Sequence, residues 1–395
     1  MKFLQETIAD IALQIKTGKT PPTEVSEYFN GNINWYTPTD LAKETYLNKS
    51  SRTITDKAIS DNKAVIFDKD TVLITCIGDI GKLGIVSDVA SSNQQITGIK
   101  LNNKVFPLFF YYWCKRNKKL LENNSRQAVV SILNNETLGK IKISYPEKYD
   151  DQIRIAAVLT RAENLIAKRK ESIKLLDEFL KSTFLEMFGD PVRNEKGWEV
   201  VELGFLSDEF KYGTNMISDD KNSDEKMPIL RIPNVVGERI SYNDLKYSTI
   251  DKNEKEKIRL KAGDLLFVRT NGNPAYIGRC AVFNDSIECG YASYLIRVRL
   301  KDNSTVSSNF IRDVISFPTY RHLVIDKAKT TAGNYNINTE SLKSLKIYQP
   351  PVALQNKFAA VVEKVESIKL KYNESLVAME KLYGSLSQRA FRGEL

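Results

Sequence analysis

The chain has 395 residues, 42% of them hydrophobic and 27% charged. That length provides for two hydrophobic cores, and no apolar run is long and uncharged enough to cross a bilayer, which excludes a membrane-embedded class. With 58 Lys and Arg against 49 Asp and Glu, the net charge of +9 favours a polyanionic partner such as nucleic acid.

Residues 1–16 intersperse charges among apolar side chains, which predicts an amphipathic opening segment without the apolar centre of a secretory leader, and a cytoplasmic location. Up to residue 150 the chain alternates β-type runs such as Val72-Leu73-Ile74-Thr75 with Gly, Asn and Pro turns, so 1–150 is expected to form a first mixed α/β domain. A stretch free of glycine and proline follows Pro146 and lasts until Gly189, predicting a long helix over 151–189. Residues 190–350 return to the α/β texture, with Leu265-Leu266-Phe267-Val268 as a central run. After Pro350-Pro351 a second long helix is expected over 351–395, its glycine-free run reaching Gly384. Cys76, Cys114, Cys280 and Cys289 form no CxxC pair and suit packing in a reducing compartment.

The two halves are copies of one plan. Lys16-Thr17-Gly18 aligns with Lys211-Tyr212-Gly213, and Trp35-Tyr36-Thr37-Pro38 with Leu230-Arg231-Ile232-Pro233. The run from Asp70 to Gly84 aligns with that from Asp264 to Gly278. Asn134-Asn135-Glu136-Thr137-Leu138 aligns with Asn338-Thr339-Glu340-Ser341-Leu342, Pro146 with Pro350, and Gln152 with Gln355.

Both helices carry heptads. The first seam runs Ile155, Leu159, Ala162, Ile166, Arg169, Ile173, Leu176, Leu180, Thr183 and Met187. The second runs Phe358, Val362, Val365, Lys369, Tyr372, Leu376, Met379, Tyr383, Leu386 and Ala390. Equal length and phase predict that the two pack on each other as an antiparallel coiled coil; the alternative is a pair of amphipathic helices, each lying on its own domain. The expected architecture is an α/β (α+β) fold with two tandem domains, two long helices and a pseudo-twofold internal repeat.

Two variable α/β units, each followed by a similar long helix, resemble the specificity subunits of type I restriction–modification systems. The likeness is carried by this architecture, by Gly18-Lys19-Thr20-Pro21-Pro22, by the stretch from Trp35 to Leu41, and by the helix ends. Those ends contain Phe188-Gly189-Asp190-Pro191 and Phe391-Arg392-Gly393-Glu394-Leu395. The resemblance implies that each α/β unit is a target-recognition domain reading one half of a split, asymmetric double-stranded DNA sequence. It implies that the helices act as a spacer and as docking platform for two modification subunits, which bring S-adenosylmethionine and methylate adenine. Restriction subunits using ATP and Mg would join them. The second half departs from the pattern, with Thr214-Asn215-Met216 in place of the lysine, threonine and proline of the first.

Base reading needs polar side chains on rigid turns, since arginine can grip guanine and Asn or Gln can match adenine. The expected contacts in the first unit are Lys19, Thr20, Trp35, Tyr36, Lys82, Asn93, Gln94, Gln95 and Arg126. In the second they are Arg231, Asn234, Arg269, Asn271, Asn273, Tyr276, Arg279, Tyr294 and Asn334. The stretch from Gly78 to Gly84 lacks the spacing of a phosphate-binding loop and suits a tight turn after a strand. No Walker A, HExxH or GxSxG motif occurs, no metal-ligand spacing is present, and the single histidine, His322, has no counterpart in the other half. The chain is therefore expected to be a non-catalytic recognition subunit; the alternative reading is a stand-alone two-headed DNA-binding regulator or scaffold, which copurification with a methyltransferase would separate.

Overall fold

The first central run forms the strand Val72–Thr75, buried at every position, as a strand covered on both faces should be. The computed structural model describes every residue except 126–129, 221–222, 224–225 and 332, with Thr331 described by its backbone alone. Arg126, one of the expected contacts, lies outside the described residues.

The chain divides into two compact units, Met1–Glu171 with Asn373–Leu395, and Ser172–Tyr372. Each therefore comprises one α/β domain and a part of both long helices. In the first unit a five-stranded sheet takes the order Ala12–Thr17, Ile96–Leu101, Val72–Thr75, Leu83–Val86, Tyr46–Leu47. A three-stranded sheet places Phe29–Tyr36 between Arg52–Ile54 and Ala90–Ser92, and Phe3–Thr7 pairs with Lys142–Pro146. In the second unit the equivalents are a four-stranded sheet in the order Ser207–Tyr212, Leu295–Leu300, Asp264–Val268, Cys280–Phe283, and a three-stranded sheet with Lys226–Leu230 at its centre. Val200–Glu202 pairs with Lys346–Tyr348. A further sheet of Thr270–Asn271, Asn334–Asn336 and Lys329–Thr331 belongs to this unit; at the equivalent place the first unit has, among the described residues, the single bridge Ile77–Ile132.

Hydrogen bonds fix the true register of the repeat and correct two of the aligned stretches. Asn93 N–H donates to Tyr36 O, and Ala292 N–H to Leu230 O, so Leu230 corresponds to Tyr36 rather than Trp35. The shared element is a side-chain acceptor closing a turn: Thr37 N–H donates to Asp40 Oδ2 and Arg231 N–H to Asn234 Oδ1, both at 2.9 Å. In the next stretch Asp70, at φ 64°, stands where Gly263 has φ 91°, since Asp70 N–H meets Val86 O as Gly263 N–H meets Phe283 O. Gly278 then corresponds to Gly81, whose N–H also returns to the preceding strand, and not to Gly84.

The long helices span Tyr149–Phe188 and Val352–Ala390. Gly189, at φ 78°, ends the first in the left-handed conformation that glycine adopts without steric cost. Gly384 does not end the second, which runs through it to Ala390 before Gly393 turns at φ 79°. Every heptad position of both seams is buried or half-buried, while most residues between them are exposed. Within each unit the two helices pack antiparallel. In the first, Tyr383 Oη donates to Glu163 at 2.5 Å and Lys170 pairs with Glu380 at 2.8 Å; in the second, Lys369 reaches Asp177 at 2.6 Å and Phe184 meets Phe358 at 5.5 Å between ring centres.

Two buried glutamines anchor the helix starts in the same way. Gln152 accepts from Phe106 N–H at 2.8 Å and donates to Lys104 O and Pro146 O at 2.8 and 2.9 Å. Gln355 accepts from Ser307 N–H at 2.9 Å and donates to Thr305 O and Pro350 O, both at 2.8 Å. Each side chain thus bonds three backbone groups at once, where a polar group buried without a partner would be costly.

Candidate nucleic-acid interface

A glycine crossing organises one end of each α/β domain. Gly18 runs so close under the turn at Ser92 and Asn93 that a Cβ on it would collide with the backbone of Asn93. Gly18 N–H donates to Ile96 O at 2.8 Å and Lys19 N–H to Ser92 O at 2.9 Å. Gly213 repeats this under Tyr291 and Ala292, with Thr214 N–H donating to Tyr291 O at 2.9 Å. Two loops are thereby clamped together, and their polar side chains emerge side by side on a rigid base.

In the first unit this brings Lys19, Thr20, Gln94 and Gln95 together. Lys19 and Gln94 are exposed, and the Thr20 hydroxyl donates to Gln94 Oε1. Asn93, expected as a contact, is instead buried; its Oδ1 accepts from Gln95 N–H at 3.1 Å and its Nδ2 donates to Gln95 Oε1 at 3.0 Å, so it shapes the turn that presents the two glutamines. Lys82 lies on the neighbouring turn, half-buried and paired with Asp79 at 3.3 Å.

Trp35 and Tyr36 were also expected to face DNA, and both are buried. Tyr36 Oη donates a hydrogen bond to Leu47 O at 3.0 Å, and burial, with the nearby Asp40 and Glu44 charges, pushes its pKa up to about 12. Burial works against the charge of Asp40 as well, but donors from Thr37 and Ser51 hold its carboxyl below the usual range. Trp35 ties its indole N–H to Lys19 O at 3.2 Å and supports the glycine loop from beneath. An unexpected residue covers it: the guanidinium of Arg52 lies 5.2 Å from the Trp35 ring and 4.8 Å from that of Phe29.

In the second unit the crossing gathers Arg269 and Tyr294 with Tyr212. Arg269 sits 4.6 Å over the Tyr212 ring and donates to Ser293 O at 3.3 Å, while Tyr294 is exposed beside it. A second cluster forms on the following turn, where Asn271, Asn273 and Tyr276 lie near Asn334 across Gly272. Arg279 stacks 5.3 Å from Tyr276 but directs its donors to Ala275 O and Val236 O, at 3.0 and 3.1 Å. Arg231 and Asn234 direct their side chains to the loop of residues 241–244. Arg231 is paired with Asp244 at 2.9 Å, and Asn234 is buried, donating to Ser241 O and Asn243 O; this corrects the expectation that Asn234 faces DNA, since its amide closes a loop.

Sequence reasoning passed over Arg52, Tyr212 and the exposed pair Met216 and Ile217, the latter 94% accessible on the loop after Gly213. Tyr212 had a usable signal in the aligned Lys-x-Gly triplet. Arg52 had none, because its two ring partners come from a different strand.

Comparison with known proteins agrees with this duplicated plan. The family described as type I restriction modification DNA specificity domain matches residues 5–175 and 195–377. The chain is 27% identical over 423 aligned residues to the type I restriction enzyme MjaIX specificity subunit of Methanocaldococcus jannaschii, covering 98% of this chain and 92% of that one. Its fold is similar to the type I restriction–modification S subunit of M. genitalium, with a TM-score of 0.60 at 13% identity over 99% and 96% of the two chains. A chain from a solved type I R-M system gives 0.61 at 14% identity, over 100% and 98%. With both of its halves matched and its repeated architecture shared, the chain belongs to the family of type I restriction–modification DNA specificity subunits.

Proposed function

We propose that this chain reads a bipartite, asymmetric DNA target, one half-site per α/β domain, and carries no catalytic centre of its own. The observation that supports this most directly is the repeated glycine crossing. The same backbone clamp presents lysine, threonine and glutamine in one unit and arginine and tyrosine in the other, which is the arrangement required to read two different sequences from one scaffold. The net charge of +9 supports phosphate contact, with affinity that falls as salt rises.

In this reading the chain docks two modification subunits, which bring S-adenosylmethionine, and restriction subunits, which use ATP and Mg. Support for docking on the long helices comes from large apolar side chains that neither seam absorbs. Leu165, Val377 and Leu382 are exposed in the first unit, and Leu175, Phe179 and Leu370 in the second. The test is an exchange of residues 192–350 for the equivalent domain of a relative, followed by methylation mapping in cells. One half of the methylated sequence should change and the other remain. Change in both halves, or in neither, would refute the division of reading between the domains.

A further inference from the structure

Arg52 combines three features that no other candidate reader of the first unit shares. It is exposed, its guanidinium lies over two aromatic rings, and among the described residues it forms no ion pair. Phe29 and Trp35 meet edge to face, with centres 6.4 Å apart and planes at 84°, and the cation lies over both. The contact with the rings restrains the guanidinium while the residue stays exposed, and an arginine so held can make paired hydrogen bonds to a planar acceptor.

Its placement is equally constrained. Arg52 opens the edge strand Arg52–Ile54 and pairs in register with Trp35. The Ser50 hydroxyl donates to the Arg52 carbonyl and accepts from Trp35 N–H at 3.1 Å, while Ser50 N–H donates to Asn34 Oδ1 at 3.0 Å. Because the Trp35 indole also holds Lys19 O, the ring that carries Arg52 is fastened to the loop of the glycine crossing. The cation therefore lies over a ring that is tied to the backbone of Lys19, whose amine donates to Asn62 O at 2.5 Å. In contrast, Arg231 and Arg279 in the second unit use their donors within the fold.

We propose that Arg52 is a specificity-determining residue of the first half-site, reading the O6 and N7 edge of one guanine, with Phe29 and Trp35 as the platform that aims it. This rests on the reading of the chain as a two-site DNA reader. Lysine at this position would keep the charge and lose the planar guanidinium fork, whose rigid pair of donors matches the guanine edge.

The test uses the full chain assembled with its modification subunits. Methylation mapping with the wild-type complex defines the two half-sites, and the domain exchange assigns each to its unit. Competition binding is then measured on duplexes carrying single base-pair changes, for wild type, Arg52→Lys and Arg52→Ala. The expected result is that both variants lose discrimination, on the order of ten- to a hundredfold, at one G·C pair of the first half-site and keep it at every pair of the second. Equal weakening on all duplexes with a shallower salt dependence would mean a phosphate contact and would overturn the proposal. Unchanged discrimination with lowered thermal stability would overturn it too, leaving Arg52 as a cover for the rings. A wild-type complex with no bipartite target would refute the two-site reading itself, whereas a bipartite target read normally by both variants removes only the role of Arg52.

Discussion

The two units differ least where backbone must be satisfied and most where side chains face solvent or fill the core. Gln152 and Gln355 make the same three hydrogen bonds, and Asn134 and Asn338 cap equivalent helices by accepting from Thr137 and Ser341 N–H at 2.8 Å. The cores, by contrast, have been rebuilt. In the second unit Phe184 packs 4.9 Å from Phe317 and 5.5 Å from Phe358, with Phe188 and Phe310 adjoining. In the first, Phe391 and Phe109 repeat the Phe188 and Phe310 pair at 5.3 Å, but Ile155 stands for Phe358 and Ser387 for Phe184. Apolar packing can be exchanged for other apolar packing of similar volume, whereas an orphaned backbone group has few alternative partners.

The sharpest way to break this comparison is at the glutamines. Gln152→Leu and Gln355→Leu should each remove three hydrogen bonds to backbone groups and cost about 3 kcal/mol, measured by urea unfolding, with similar losses in the two units. A large loss in one and none in the other would show that the equivalence is only geometric. The cores should behave oppositely: Phe184→Ala should cost about 3–5 kcal/mol, while Ser387→Ala stays below about 1 kcal/mol.

At the crossings, Gly18→Ala and Gly213→Ala should each cost about 1–3 kcal/mol through forced displacement of the facing turn. Each should abolish base discrimination in one half-site alone, read by binding to duplexes altered in one half or the other. Smaller again, Asn134→Ala and Asn338→Ala should each cost about 1 kcal/mol in thermal unfolding, as loss of a helix cap does. Least visible in stability is Leu165→Glu, expected to stay within about 0.5 kcal/mol while weakening capture of the modification subunits in a pull-down.

Much of the scaffold was legible in the sequence because its signals are local and periodic. The heptads identified the faces that the helices bury, and the Asn134 and Asn338 caps lie beside the residues they cap. The slip of one residue around Trp35 arose because Pro38 and Pro233 looked equivalent, while the feature held in common is an acceptor at Asp40 and Asn234. The interface was less legible. Lys19, Gln94 and Arg269 lie on the clamped loops, but side-chain chemistry could not tell that Asn93 and Asn234 turn inward to close turns and loops. Nor could it place Arg52 over the rings of a neighbouring strand, since that contact depends on pairing register.

The composition of the first unit, residues 1–171 joined by 373–395, has a consequence for synthesis on the ribosome. Ala390 is fully buried in that unit's core, with Phe391 and Leu395 packed against it, and these side chains are translated after every residue of the second unit. The domain whose translation begins first is therefore completed last. Until those final turns of helix emerge, the nascent first domain exposes the apolar surface they cover, while the second, made of one unbroken segment, already has all its parts.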